Sequence, residues 1–181
     1  MERKWFVFYT KSRQEKKVDE LLQRRGYESF LPLHSQLRQW SDRKKKVIVP
    51  LFNSYIFVNV FEHDVANVVQ LPGIAWNIRH NGKPATLQAN ELLTIKRFIE
   101  TGWLVDAEAY QEEIELGEQV KVIDGPLKGI TGRLTHLANS SRLGVLLESI
   151  GQVITVEINR NAVRKLTDKE INSAPILSIP E

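Results

Sequence analysis

Residues 117–132, GEQVKVIDGPLKGITG, constrain the fold of this chain more than any other stretch. Val120 and Val122 alternate with polar neighbours, the period of a strand with one buried face. Asp124-Gly125-Pro126 then ends that strand, because proline donates no backbone N–H and glycine admits turn conformations closed to other residues. Gly129 offers a second backbone position free to take positive φ before Ile130 resumes an extended run. A strand, a tight loop and a second strand must therefore follow one another at once. By itself this block also fits an ordinary strand–turn–strand.

Its surroundings narrow the choice. Strands at roughly 119–124, 130–137, 143–149, 152–158 and 162–166 suit a five-stranded barrel within 116–167. Val145, Val153, Ile154, Val156 and Ile158 favour strands, and Gly144 and Gly151 weaken a helical alternative, so the barrel is expected to be β at rest. Ahead of it, residues 104–118 carry Asp106, Glu108, Glu112, Glu113, Glu115 and Glu118 with no basic residue. That reads as an acidic, solvated linker over 104–115. After it, 168–181, with Pro175 and Pro180, reads as a flexible tail.

The first 103 residues form a separate domain. Trp5 to Tyr9 is an aromatic and β-branched run, hence a strand. Ser12-Arg13-Gln14-Glu15 has the S-x-x-E spacing of a capping box, and Val18, Leu21 and Leu22 follow at helical spacing up to Gly26. Residues 28–40 and 46–60 read as strands around a charged turn. In the second, Tyr55, Phe57 and Asn59 face one way and Ile56, Val58 and Val60 the other. A short helix at about 63–71 carries Val65, Val68 and Val69 and ends at Pro72-Gly73. A strand from Ile74 to Arg79 follows. Asn90 is placed to cap a helix with Leu92, Ile95 and Ile99 on its buried side and Gly102 at its end. The fold class is α+β: an N-terminal αβ sandwich on a mostly antiparallel sheet, then the small barrel.

Charge separates the two halves. Residues 1–50 hold thirteen Lys/Arg against six Asp/Glu, an excess of +7, whereas residues 51–181 carry −4. The basic surplus of the first domain points towards a polyanion such as nucleic acid. The absence of cysteine excludes a disulfide framework and a thiolate metal site. His34, His63, His80 and His136 have no metal-ligand spacing, and no nucleophile elbow, P-loop or dinucleotide fingerprint occurs. The chain is not expected to be an enzyme or to need a metal or cofactor. No segment is apolar for long enough to span a bilayer, and MERKWFVFY lacks the apolar core of a secretion signal. The reading is a cytoplasmic monomer without a membrane partner.

The spacing of Gly117, Val120, Val122, Gly125, Pro126 and Gly129 resembles the KOW motif of transcription elongation factors and ribosomal proteins. With WFVFYTK (5–11), PLFNSYIFV (50–58) and LPGI (71–74), in that order around an acidic linker, the chain from Trp5 to Leu166 resembles the NusG family. The resemblance implies an N-terminal domain that rides on RNA polymerase and a KOW barrel that recruits a second factor, such as a ribosomal protein or a termination factor. Where the family usually has Pro-Gly before the tyrosine, this chain has Asn53-Ser54. That departure, with the KSRQEKK start of the helix, looks more like specialised paralogs of the RfaH and UpxY type than housekeeping NusG. The His-Thr-Thr motif of RfaH has no counterpart at Asp64-Val65-Ala66.

The resemblance also implies site residues. Tyr9, Phe52, Tyr55 and Phe57 match the surface that receives the polymerase clamp helices, and the aliphatic face of their strand is left for the helix-covered core. Filling the core themselves is the alternative role for these rings. Lys11, Arg13, Arg24 and Arg25 match the side that approaches non-template DNA. Arg43, Lys44, Lys45 and Lys46 form a cationic tip suited to upstream duplex DNA. Such groups position phosphates without reading sequence. The implied function is antitermination by bridging the polymerase cleft, probed against two alternatives: a housekeeping NusG, and an RNA-binding ribosome-associated KOW module.

Overall fold

The computed structural model describes residues 2–39, 44–101, 105–109, 118–137 and 140–173. The first domain is built on an antiparallel sheet of β1 (Lys4–Thr10), β2 (Glu28–Phe30), β5 (Tyr55–Val60), β6 (Ile74–Asn77) and β9 (Thr86–Leu87). Its main path runs β2-β5-β1-β6, with β9 also paired to β1. Between β2 and β5, the strands β3 (Leu33–Gln39) and β4 (Lys44–Pro50) leave the sheet as a two-stranded hairpin of their own. Pro32 and the Leu51–Ser54 turn interrupt what the sequence pattern presents as two long strands. Lys16 Nζ donates to the Ile48 carbonyl at 2.7 Å and ties this hairpin to the first helix.

Alternation decides what covers each face. Phe6, Phe8, Ile56, Val58 and Val60 form one core with Val18 and Leu22 of α1 (Glu15–Arg24) and with Val65 and Val68 of α2 (Val65–Val69). Val7 and Phe57 point to the opposite face. There they share a second core with Ile95 and Phe98 of α3 (Ala89–Glu100). Beyond β6, a two-residue turn at Asn81-Gly82 joins β7 (Arg79–His80) to β8 (Lys83–Pro84). Both turn residues have positive φ, 48° and 77°, as a tight hairpin of matching twist requires.

Two helix starts differ from the sequence expectation. Ser12 does not cap α1, which opens at Glu15 after Gln14 and has no side-chain cap. The reason is that the Glu15 carboxylate is engaged elsewhere, accepting the Ser54 N–H at 2.9 Å inside the protein. α3 begins one residue before Asn90, with the Gln88 N–H donating to Glu91 at 2.8 Å. Phe98, not Ile99, is its fully buried C-terminal residue. Gly102, expected to end it, lies outside the described residues.

The second domain is one antiparallel sheet in the order β10-β14-β13-β12-β11-β15, made of β10 (Val105–Ala109), β11 (Gln119–Val122), β12 (Thr131–Leu137), β13 (Ser140–Leu147), β14 (Gln152–Glu157) and β15 (Val163–Lys165). Val120, Val122, Leu127, Leu134, Leu143, Leu147, Ile154 and Val156 are buried within it. Gly125 and Gly129 both take positive φ, and the Gly129 N–H donates to Val122 O at 2.8 Å to close the loop between β11 and β12. Five strands fall where the sequence pattern puts them. The sixth, β10, occupies part of the stretch expected to be solvated linker, pairing with β14 from Val105↔Val156 to Ala109↔Gln152. The acidic residues of 110–117, with Gly117, lie outside the described residues, as do 174–181. The remainder of the expected tail is helical, α4 (Asp168–Ser173). Glu170 accepts from both Arg164 nitrogens at 2.8 and 2.5 Å and from the Thr167 N–H, which holds its carboxyl well below the usual range.

Candidate functional site

Side chains on the α3-facing side of the sheet form a continuous ladder of seven aromatic rings. Trp76 stacks on Tyr9 at 4.7 Å with an interplanar angle of 10°. Tyr9 meets Tyr55 edge-on at 5.4 Å, and Tyr55 meets Phe52 at 6.5 Å. Phe52 contacts Phe57 at 6.2 Å, Phe57 contacts Phe30 at 6.1 Å, and Phe30 reaches Trp5 at 6.3 Å. The strand register produces this order. Tyr9 sits opposite both Tyr55 of β5 and Trp76 of β6, so three rings line up across three strands.

The four rings named from the sequence are therefore brought together, but they are not equally accessible. Phe57 is fully buried and Phe52 is 2% exposed, while Tyr9 and Tyr55 are half-buried. Phe52 and Phe57 thus form part of a core, contrary to an aromatic face left open. Helices α1 and α2 do lie on the other side, but α3 packs on this one, and its core is continuous with that of the barrel.

Polar contacts fasten the barrel to this face. Glu91, at the start of α3 and buried, accepts from the Ser149 N–H at 3.1 Å and from the Ser149 hydroxyl in the turn between β13 and β14. Arg97 Nη1 donates to the Lys128 carbonyl at 3.2 Å. The Gln152 side chain hydrogen-bonds the Tyr55 hydroxyl. Burial pushes the Tyr55 phenol up from its ordinary value; the Gln152 bond partly offsets this and neighbouring Tyr9 adds to it. Sequence reasoning missed Glu91, Ser149 and Gln152. No local pattern points to Glu91, because its partner lies 58 residues away.

The basic residues occupy separate places. Lys11 and Arg13 are exposed just before α1, and Arg13 takes positive φ of 61°. Arg24 and Arg25 are exposed at the other end of α1, about 15 Å away for a ten-residue helix. Arg24 pairs with Glu20 at 3.1 Å. Arg25 lines a small polar cleft with Arg3, Tyr27, Glu28, Asn59 and Asp64. The helix cations are thus two groups, not one. Lys45 and Lys46 are exposed on β4 near the hairpin tip, where Lys44 begins the strand; Arg43 lies outside the described residues.

Asn53-Ser54 adopts the backbone that Pro-Gly would permit: Ser54 has φ of 66° and is buried. Its N–H donation to Glu15 joins the start of α1 to the turn that aims Tyr55.

Residues 3–96 match the NusG family model, described as transcription termination factor NusG. The transcription termination/antitermination protein NusG of Bacillus subtilis is 26% identical over 181 residues, covering 92% of this chain and 100% of its own. That of Rickettsia felis is 27% identical over 179 residues, covering 90% of each. A solved chain described as domain interaction in Thermotoga maritima NusG shares the fold, with a TM-score of 0.55 at 21% identity over 92% of this chain and 99% of that one.

Proposed function

The chain belongs to the NusG family of transcription factors, which are not enzymes, and from that premise we propose that it binds RNA polymerase through its aromatic ladder. The observation that carries this reading is the run of rings from Tyr9 to Phe57, clustered on one sheet face instead of dispersed through both cores. Half-buried aromatics at the centre of a patch are the side chains that anchor interfaces. Tyr9 and Tyr55 meet the clamp helices directly. Phe52 and Phe57 support them from beneath and come into contact only as the barrel leaves. Binding to polymerase is then coupled to undocking of the barrel, which frees it to recruit its own partner, a ribosomal protein or termination factor.

In this reading the protein suppresses pausing and termination by bridging the polymerase cleft. Stabilising the closed clamp requires only differential binding of a few kcal/mol. Lys11 and Arg13 face non-template DNA, and the β3–β4 hairpin faces upstream duplex. The strained Ser54, where the family usually has glycine, supports a specialised, operon-specific factor of the cytoplasm over a housekeeping one. An occupancy map confined to a few operons is expected, whereas a broad map returns the housekeeping reading. Co-purification with polymerase after nuclease treatment separates both from a ribosome-associated RNA binder.

The docking face is tested by two substitutions. Tyr55→Ala should weaken polymerase binding by roughly thirtyfold or more, as truncating an interface anchor of about 2–4 kcal/mol does, with little change in melting. Phe57→Ala should instead cost about 3–5 kcal/mol of folding stability, because its ring is fully buried. Normal polymerase affinity in folded Tyr55→Ala would place the docking surface elsewhere.

A further inference from the structure

Among the described residues Trp76 is the largest apolar side chain left open, 53% exposed, and it belongs to neither core. Tryptophan is usually well buried, so an exposed one on a regular strand invites a reason. Its strand, β6, is the last in the path β2-β5-β1-β6. Tyr9 covers one face of the indole. Among the described residues no other ring lies against it. The pairing of β1 with β6 shifts register between Tyr9 and Thr10, an irregularity of the kind that re-aims side chains at sheet edges. The result is a flat π-surface held rigid from behind.

Cations flank it along the chain on both sides. The Lys11 N–H donates to Gly73 O at 2.8 Å, which puts Lys11 at the foot of β6, three residues from Trp76. Arg79 and Lys83, on the β7–β8 hairpin, begin three residues beyond it. At about 3.3 Å per residue each group is roughly 10 Å from Trp76 along the backbone. Lys11, Arg13, Arg79 and Lys83 are all exposed, and none forms an ion pair among the described residues. No carboxylate occurs in the sequence between Asp64 and Glu91, and Glu15, the acid nearest Arg13 in sequence, is buried with its carboxylate on Ser54.

We propose that Trp76, stacked on Tyr9, is a platform for one base of a single-stranded nucleic acid, with Lys11, Arg13, Arg79 and Lys83 holding the phosphates on either side. Every base presents a π-face, so stacking is sequence-tolerant, and a basic track beside an exposed aromatic is the usual means of holding an unpaired strand. Duplex bases are already stacked on each other and offer no face to the indole. An apolar protein segment would find one ring set among cations in place of a groove. The platform extends the nucleic-acid role of Lys11 and Arg13 and does not depend on polymerase docking, since Trp76 is exposed with the barrel in place.

The test uses the full-length chain without polymerase. Labelled twelve-nucleotide single strands of DNA and of RNA, the same DNA as duplex, and inorganic polyphosphate are titrated over a range of salt. Trp76→Ala should weaken binding of at least one single strand by about five- to a hundredfold, the range for one lost base stack. Trp76→Phe should lose less, and polyphosphate affinity should not change. Arg79→Gln with Lys83→Gln should weaken single strands and polyphosphate alike and flatten the salt slope, by about 0.7 per lost phosphate contact. Wild-type affinity of Trp76→Ala for both single strands overturns the proposal. So does an equal loss on polyphosphate or duplex, which would make the ring a support for the cations and not a stacking surface.

Discussion

Replacing Ser149 by alanine should loosen the barrel from α3 while leaving both domains folded. Ser149 gives Glu91 two hydrogen bonds, and alanine removes only that of the hydroxyl. A hydrogen bond to a charged acceptor contributes about 1.5–3 kcal/mol, and the low end applies to a half-buried turn. About 1.5 kcal/mol shifts the ratio of docked to undocked molecules roughly tenfold. A partner that needs the uncovered face binds in proportion to the undocked fraction. Affinity of the full-length chain for RNA polymerase should therefore rise roughly tenfold. Glu91→Ala removes every acceptor and should raise it at least as far, with an added cost at the start of α3, where the Gln88 N–H loses its partner. The double variant should exceed Glu91→Ala by little, since the two residues share the bonds. The assay is titration of labelled protein with polymerase, with the tumbling of each domain followed by NMR relaxation on the same samples. Independent tumbling without tighter binding would show that the barrel does not cover the docking face. Unchanged affinity together with unchanged tumbling would show that the contact contributes nothing to docking.

Gly73→Ala should destabilise the first domain by about 2–4 kcal/mol in thermal melting, combining left-handed strain with overpacking; φ there is 93°, and a Cβ would lie 2.6 Å from Val18 Cγ2 and 2.8 Å from Gln14 Oε1. Ser54→Gly should raise stability by about 0.5–1 kcal/mol, because glycine relieves the positive φ and keeps the N–H that Glu15 accepts; a lower melting temperature would contradict this. Neutralising Arg43, Lys44, Lys45 and Lys46 together should weaken binding to elongation complexes that carry upstream duplex DNA and flatten its salt dependence, with polymerase binding in the absence of DNA unchanged. Raising pH above about 10 should destabilise the folded chain through Tyr55: burial holds its phenol above the unfolded value, so its contribution is present below the ordinary tyrosine pKa and lost as pH climbs through the raised one. Thermal melting of Tyr55→Phe at high pH checks this, since that variant should lack the loss.

Local pattern carried most of the architecture. The alternation in β5, the Pro72-Gly73 stop and the glycines of the β11–β12 loop act over a few residues, and the chain folds there as those residues dictate. What escaped was settled by contacts distant in sequence. Ser12 has the spacing of a cap, but Glu15 is drawn to Ser54, 39 residues away, and the capping box never forms. Phe57 has the alternation of a surface ring until α3 and the barrel cover it. Val105, Ala107 and Ala109 alternate with acids in the period of a strand, yet the surrounding run of carboxylates makes the segment read as solvated; only the open edge of β14 turns it into β10. Trp76 carries no sequence signal of its own, since a single aromatic in a strand is ordinary, and its exposure follows from the position of β6 at the sheet edge.

Incorporation of β10 into the barrel also sets the length of the leash between the domains. From Glu100, the last residue of α3, to Val105 there are five peptide steps, a reach of at most about 17 Å. A barrel that keeps β10 can leave the aromatic face only by swinging close beside it, so its return is fast and its effective concentration at that face stays high. Peeling β10 from β14 lengthens the tether to the nineteen steps between Glu100 and Gln119, at most about 65 Å. Five ladder pairs thus separate a barrel that hovers over its own domain from one able to meet a partner across a large assembly.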